Sequence, residues 1–168
     1  TSCILTYGEP KMSILKINEL ALQLVAKDFS DGHAPNANNA GPTKTSRALA
    51  IIHLAAHDAY AKVTGQLTPQ LGTLPSPPEE IGNDETIGAT ALLGAGIFAA
   101  EKLYPDFVQF ISTEAAQFTV GVNSQALDYG KQIGEAWIDH RNNDASDLPD
   151  LDSDYSQEPG HHRPDPLN

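Results

Sequence analysis

Two histidines, His53 and His57, are spaced so that a helix would place both on one face, as in many zinc sites. The residues between them are Leu-Ala-Ala, so the sequence lacks the glutamate that serves as general base in zinc peptidases. We therefore predict two packed, hydrogen-bonded histidines in a helical bundle. A metal site is the alternative.

Three carboxylates alternate near the C-terminal end, at Asp150, Asp152 and Asp154. This spacing matches the first half of a calcium-binding EF-hand loop. However, Tyr155 replaces the glycine at the sixth loop position, and His161 replaces the glutamate at the twelfth. The pattern favours a solvated acidic segment over a calcium site.

Arg47 and Asp58 stand out because the segment around them is nearly all apolar. A charged group that is buried needs a partner of opposite charge or several hydrogen bonds. We predict that each residue makes a structural salt bridge or caps the end of a neighbouring helix. A supporting role beside an active site is the alternative.

Apolar spacing and helix-capping residues predict an all-α fold of about five helices. The second helix is apolar on nearly all sides and is therefore expected at the centre of the bundle. In the third helix, small residues at helical spacing should let a neighbouring helix approach closely (Gly88, Ala91, Ala95 and Ala99). The predicted helices run from Met12 to Asp28, from about Thr43 to Thr64, from Asn83 as N-cap to about Tyr104, from Pro105 to about Val120, and from Ser124 as N-cap to about Arg141.

The formal net charge of −12 argues against nucleic acid or an anionic membrane as the partner. The longest uncharged run, residues 86–100, is too short to span a bilayer. A single cysteine, Cys3, excludes an internal disulfide. Carboxylates far outnumber the one cation, Arg163, after residue 141, so we divide the chain into a helical domain, 1–141, and an acidic extended segment, 142–168.

Two segments resemble the vanadium-dependent chloroperoxidases and their bacterial relatives. In the first, residues 41–60, a proline leads into a helix that reads Arg-Ala-Leu, then apolar residues, His-Leu-Ala and Asp-Ala. The second resembles the passage from helix to loop that precedes the catalytic half of the family. It comprises Gly134-Glu135-Ala136, Arg141, Asp144, Ser146-Asp147, Pro159-Gly160, Arg163-Pro164 and Pro166. Together the two segments cover about a third of the chain.

The resemblance implies the N-terminal half of a larger helical bundle and, for the complete enzyme, peroxide-dependent oxidation of a halide with vanadate as the cofactor. The family shares its active-site core with type 2 phosphatidic acid phosphatases. Its vanadate ligands are a lysine before an Arg-Pro pair, a Pro-Ser-Gly-His motif, and an arginine followed by the metal-bonding histidine. Arg163-Pro164 supplies an Arg-Pro pair, but Ser156 stands where the lysine should be, and the other motifs have no match.

We therefore assign no catalytic, cofactor-binding or metal residue to this chain and expect it to be inactive alone. Its expected partner is a C-terminal catalytic half, either a separate chain or a missing segment. Vanadate is an oxyanion that needs several convergent cations or donors. The three arginines, Arg47, Arg141 and Arg163, lie on separate elements of an acidic protein and are not expected to form such a pocket.

Two other functions stay open: a non-catalytic helical scaffold or binding module of the same fold, and part of an acid phosphatase of the same superfamily. A homo-oligomer also stays open. The compartment stays open as well, and the resemblance is compatible with a soluble protein that is secreted or periplasmic.

Overall fold

The structure is a computed structural model that describes residues 10–30, 37–39, 41–144 and 146. Two short 3-10 turns, Glu79–Ile81 and Pro105–Phe107, lie before the third and fourth α-helices. Within the described residues there is no strand, and the predicted all-α bundle is confirmed. The α-helices are α1 (Pro10–Phe29), α2 (Pro42–Thr64), α3 (Glu85–Leu103), α4 (Val108–Thr119) and α5 (Ser124–Arg141).

Helix α2 ends at Thr64, as predicted, because Gly65 terminates it. Gly65 has a φ of 67°, the left-handed conformation that favours glycine, and its N–H donates to the carbonyl of Ala61 at 2.9 Å. The helix begins one residue before the predicted Thr43, at Pro42, a position where the missing proline N–H costs nothing. Local chemistry therefore determines where this helix starts and stops.

The other four helix starts differ from the predictions by one to three residues, and α1 begins at Pro10 and not at Met12. The N-cap of α3 is Asp84 and not Asn83, because the Asp84 carboxylate accepts from the N–H groups of Thr86 and Ile87 at 2.8 and 2.9 Å. The N-cap of α5 is Asn123, whose side chain accepts from Ala126 N–H. Pro105 opens a 3-10 turn, and α4 itself begins at Val108.

The centre of the bundle is α3, not α2 as the sequence suggested. It packs against each of the other four α-helices. Every residue from Gly88 to Ile97 is buried, whereas α2 keeps one face in contact with solvent. Because alanine and glycine make α3 narrow, neighbouring helices can surround it on every side. Each helix supplies at least one almost fully buried side chain to the core: Ile17 and Leu24, Ile52, Leu93, Ile111, and Ile133.

By length and composition alone, α3 would also be long enough and apolar enough to cross a membrane, and it is the one such helix among the described residues. In the structure, 67% of that apolar window is buried against the rest of the protein. This is the environment of a core helix.

The α3–α5 contact brings two backbones unusually close. A Cβ atom added at Gly130 of α5 would overlap the carbonyl oxygen of Ala91, and one added at Gly134 would lie 2.8 Å from the carbonyl oxygen of Ala95. The prediction that Ala91 and Ala95 lie where a neighbouring helix comes close is confirmed. The close approach holds α5, and the residues at its C-terminal end, against the core.

Candidate functional site

The solvent-facing side of α2 carries both histidines, and each ring is held by one hydrogen bond. His53 Nδ1 lies 2.8 Å from the carbonyl oxygen of Leu49, and His57 Nδ1 lies 2.9 Å from Asp58 Oδ1. Both rings are half-buried. Within the described parts of the chain, no group of three or more His, Cys, Asp or Glu side chains could surround a metal ion. Any metal held here would have two protein ligands at most from this part of the chain.

Asp58 is fully buried and has no arginine or lysine partner among the described residues. Its Oδ1 accepts from the backbone N–H of Gln70 at 2.8 Å as well as facing His57. Its Oδ2 accepts from the N–H of Leu71 at 2.9 Å and from the indole Nε1 of Trp137 at 3.1 Å. The carboxylate thereby joins α2, α5 and the segment between α2 and α3.

This hydrogen-bond pattern also decides the proton positions on the two histidines. The amide and indole groups around Asp58 can only donate, so a carboxylate that accepts from all of them satisfies the site. His57 Nδ1 must then carry the proton that it shares with Asp58. A carbonyl oxygen can only accept, so His53 Nδ1 is likewise the protonated nitrogen. In both rings Nε2 is the nitrogen left without a protein partner in the described residues.

The proline-rich segment 66–78 is bound to Asp58 and also to α5. The Tyr129 hydroxyl on α5 donates to the carbonyl of Pro75 at 2.9 Å, and burial raises the pKa of Tyr129 to about 12. Leu71 and Leu74 pack against the core. Without regular secondary structure, the segment is held by Asp58, Tyr129 and these two apolar side chains.

Arg47 crosses from α2 to the end of α5. Its Nε donates to Asp144 Oδ2 at 2.7 Å, and its Nη2 donates to the carbonyl oxygen of Arg141 at 2.9 Å. Arg141 donates to the same Asp144 oxygen at 2.9 Å. Arg47 thus forms an ion pair and also satisfies a free carbonyl at the C-terminal end of a helix.

The Arg47 hydrogen bond, more than any other interaction, holds the pKa of Asp144 well below its usual range. Burial opposes this shift, and the Ser146 side chain and backbone N–H add to it. Asp144 is therefore a carboxylate across the whole range of ordinary pH, and both guanidinium groups remain paired with it.

A cleft of about 430 Å³ opens at this end of the bundle, with Arg47, Lys102 and Arg141 in its lining. Arg47 and Arg141 lie on separate helices, as the sequence indicates, but tertiary packing brings both to one carboxylate, Asp144. Arg163, the third arginine, lies outside the described residues.

The charges around this cleft nevertheless do not suit an oxyanion such as vanadate. Asp144 neutralises part of the positive charge of the two guanidinium groups, and Asp106 also lines the cleft. The C-terminal ends of α3 and α5 point there as well, and each helix end carries roughly half a negative charge. Since both guanidinium groups are already engaged by Asp144, and Arg47 also by the Arg141 carbonyl, the residues that line this cleft do not fit a vanadate site.

Sequence reasoning missed Asp28, which is buried at the end of α1. Its two oxygens accept from the backbone N–H groups of Asn38 and Asn39, each at 2.8 Å. Asn39 Nδ2 then donates to the Leu103 carbonyl at the end of α3 at 2.6 Å. A negative charge in the last turn of a helix is unfavourable, so an aspartate there, followed by an asparagine-rich loop, was the available signal.

The other acidic candidates, Asp150, Asp152 and Asp154, lie outside the described residues. Comparison of the chain with family models, with curated proteins and with solved structures finds no match in any of the three.

Proposed function

We propose that this chain is the structural, N-terminal helical part of a vanadium-dependent haloperoxidase, with the catalytic residues carried by a C-terminal half. That half is either further polypeptide or a separate chain. The proposal begins from the two segments of sequence that resemble the family, residues 41–60 and residues 134–166.

One observation supports the proposal most. The two resembling segments are in direct contact, because Arg47 of the first pairs with Asp144 and with the Arg141 carbonyl of the second. These residues are separated by 97 and 94 positions in sequence. If the likeness of the two segments to the family arose by chance, we would not expect its residues to bind one another in the structure.

The roles of these residues support a structural contribution. Arg47 and Asp144 attach α2 to the end of α5, and Asp58 attaches α2 to Trp137 and to the segment around Gln70. All are occupied with holding elements of the bundle together. In this proposal the chain forms a rigid support, and vanadate binds to the catalytic half.

The test begins with the coding sequence that follows Asn168 and with any companion chain that copurifies with the natural protein. We expect a polypeptide that carries Pro-Ser-Gly-His, and we expect the assembled protein to oxidise bromide with hydrogen peroxide after loading with orthovanadate. The 168-residue chain alone should give no vanadate-dependent turnover under the same conditions.

Two results would overturn the proposal. The first is vanadate-dependent bromide oxidation by the 168-residue chain alone. The second is an assembled protein that lacks the motif, or one that hydrolyses a phosphomonoester and does not oxidise bromide, which would make it an acid phosphatase of the same superfamily.

A further inference from the structure

We propose that His53 and His57 form a two-histidine site on the solvent-facing side of α2 for a divalent transition metal of the borderline class, such as Zn²⁺ or Ni²⁺. Both histidines lie within residues 41–60, but the site does not depend on the haloperoxidase proposal. It is also separate from the Arg47–Asp144 contact.

The spacing is the first argument. Residues four apart in an α-helix have Cβ atoms about 5–6 Å apart, which allows two imidazoles to approach one ion. Neutral imidazole nitrogen is a ligand that Zn²⁺, Ni²⁺ and Cu²⁺ all accept. The protein has a net charge of −12, which raises the local concentration of cations.

The hydrogen bonds of the two rings are the second and independent argument. Metal-binding histidines nearly always donate their other ring N–H to a carboxylate or a backbone carbonyl, which sets the tautomer and the ring orientation. His57 does this with the Asp58 carboxylate at 2.9 Å, and His53 does it with the Leu49 carbonyl at 2.8 Å. Both rings therefore keep Nε2 as the free lone pair.

Asp58 gives the His57 half of the site particular rigidity. Three other donors hold this carboxylate, namely the N–H groups of Gln70 and Leu71 and the indole of Trp137. A ring bonded to so well fixed a carboxylate has little freedom to turn away. The two histidines supply two ligands, which leaves the other coordination positions for water.

The single tryptophan provides a direct measurement, because Trp137 and His57 bond the two oxygens of the same carboxylate. Paramagnetic Ni²⁺ bound at His57 should quench Trp137 fluorescence. The titration is carried out on the full 168-residue chain with Cys3→Ser, so that the one thiol does not compete for the ion. Calorimetry on the same samples gives the affinity and the stoichiometry.

We expect one Ni²⁺ per chain, with saturable quenching, and we expect His53→Asn and His57→Asn each to weaken binding by about tenfold or more. His140→Asn is the matched control, because its ring also lies beside Trp137, with centroids 6.0 Å apart. A His161→Asn, His162→Asn double variant controls for the other histidine pair. Both controls should bind Ni²⁺ as the parent does.

The proposal is overturned if either His53→Asn or His57→Asn binds Ni²⁺ with the parent affinity. It is also overturned if either control abolishes the quenching, or if the parent chain does not bind. Circular dichroism verifies that each variant folds. Should His57→Asn fail to fold, His53→Asn decides the matter alone, because His53 bonds only within its own helix.

Discussion

A buried carboxylate is costly unless its oxygen lone pairs find donors. Asp58 meets this condition with four N–H donors from three parts of the chain, and Asp28 meets it with the backbone of Asn38 and Asn39. In both cases an aspartate on a helix holds a stretch of irregular backbone. Single residues, and not regular secondary structure, thus attach the long connections to the bundle.

Asp58→Asn should therefore destabilise the protein strongly. The amide group turns one acceptor into a donor, so it faces N–H groups that it cannot bond, and we expect a loss of about 2–4 kcal/mol in the free energy of unfolding. Urea unfolding measures the loss, and the emission of Trp137 should shift because its indole loses a charged partner. Asp128→Asn removes an exposed ion pair with Lys131 and should change stability little. Equal stability of the Asp58→Asn variant and the parent would contradict the role given to Asp58.

The Arg47–Asp144 pair predicts how stability depends on pH. Because Arg47 lowers the pKa of Asp144 in the folded protein, the folded state binds a proton less readily than the unfolded chain. This contribution is therefore complete above the ordinary aspartate pKa and is lost progressively as the pH falls below about 4.

At pH 7 we expect Asp144→Asn to cost about 1–2 kcal/mol, since it removes hydrogen bonds to charged groups that are partly exposed. The difference in the free energy of unfolding between Asp144→Asn and the parent should shrink as the pH falls from 6 to 3, as measured by urea unfolding at each pH. Asp128→Asn again serves as the control. A difference that stayed constant or grew over this range would show that the pair does not stabilise the fold in this way.

At the scale of the elements, the contact between α3 and α5 depends on residues without side chains. The backbone of α5 at Gly130 lies against the carbonyl of Ala91, so even one methyl group has no space there. Since this contact holds α5 in position, it also positions Trp137 and Arg141, which bond Asp58 and Asp144. The packing of two helices thus supports both polar clusters.

Gly130→Ala should be destabilising even though alanine is the better helix former by about 1 kcal/mol. The added methyl group would force the two backbones apart, and we expect a net loss of about 1–3 kcal/mol in thermal or urea unfolding. Gly72→Ala is the matched control, because nothing lies within 4 Å of the added atom and its φ is not positive. A Gly130→Ala variant as stable as the parent would show that the helices separate at no cost.

At the scale of the whole molecule, the bundle is arranged around α3, and polar clusters attach α2 to α5 and to the segment that follows α2. One cluster, around Asp58, joins the middle of the bundle to residues 66–78, and another, around Asp144 and Arg47, lies at the end where α5 stops. The proposed catalytic partner is supported by the contact between Arg47 and Asp144, and the proposed metal site by His53 and His57, so each proposal can fail without the other.

The sequence by itself determined the all-α class, the ends of α2 and the close approach at Ala91 and Ala95. The class and the helix ends depend on residues within a few positions of one another, since a helix is defined by local apolar spacing and by its caps. At Ala91 and Ala95 the sequence indicated only that a helix could come close, and the structure decided that the helix is α5. The small errors at Asn83 and Ser124 have the same local origin, because a neighbouring residue offered the better capping side chain.

Only the tertiary structure decided which helix is central and which partners the charged residues find. Arg47 and Asp144 lie 97 positions apart, and the sequence around either residue does not indicate that the other is its partner. Likewise, Asp58 bonds backbone N–H groups that any residue except proline could have supplied. Such partners depend on how all five helices pack, because a hydrogen bond requires two groups within about 3 Å and local sequence does not specify distances between distant elements.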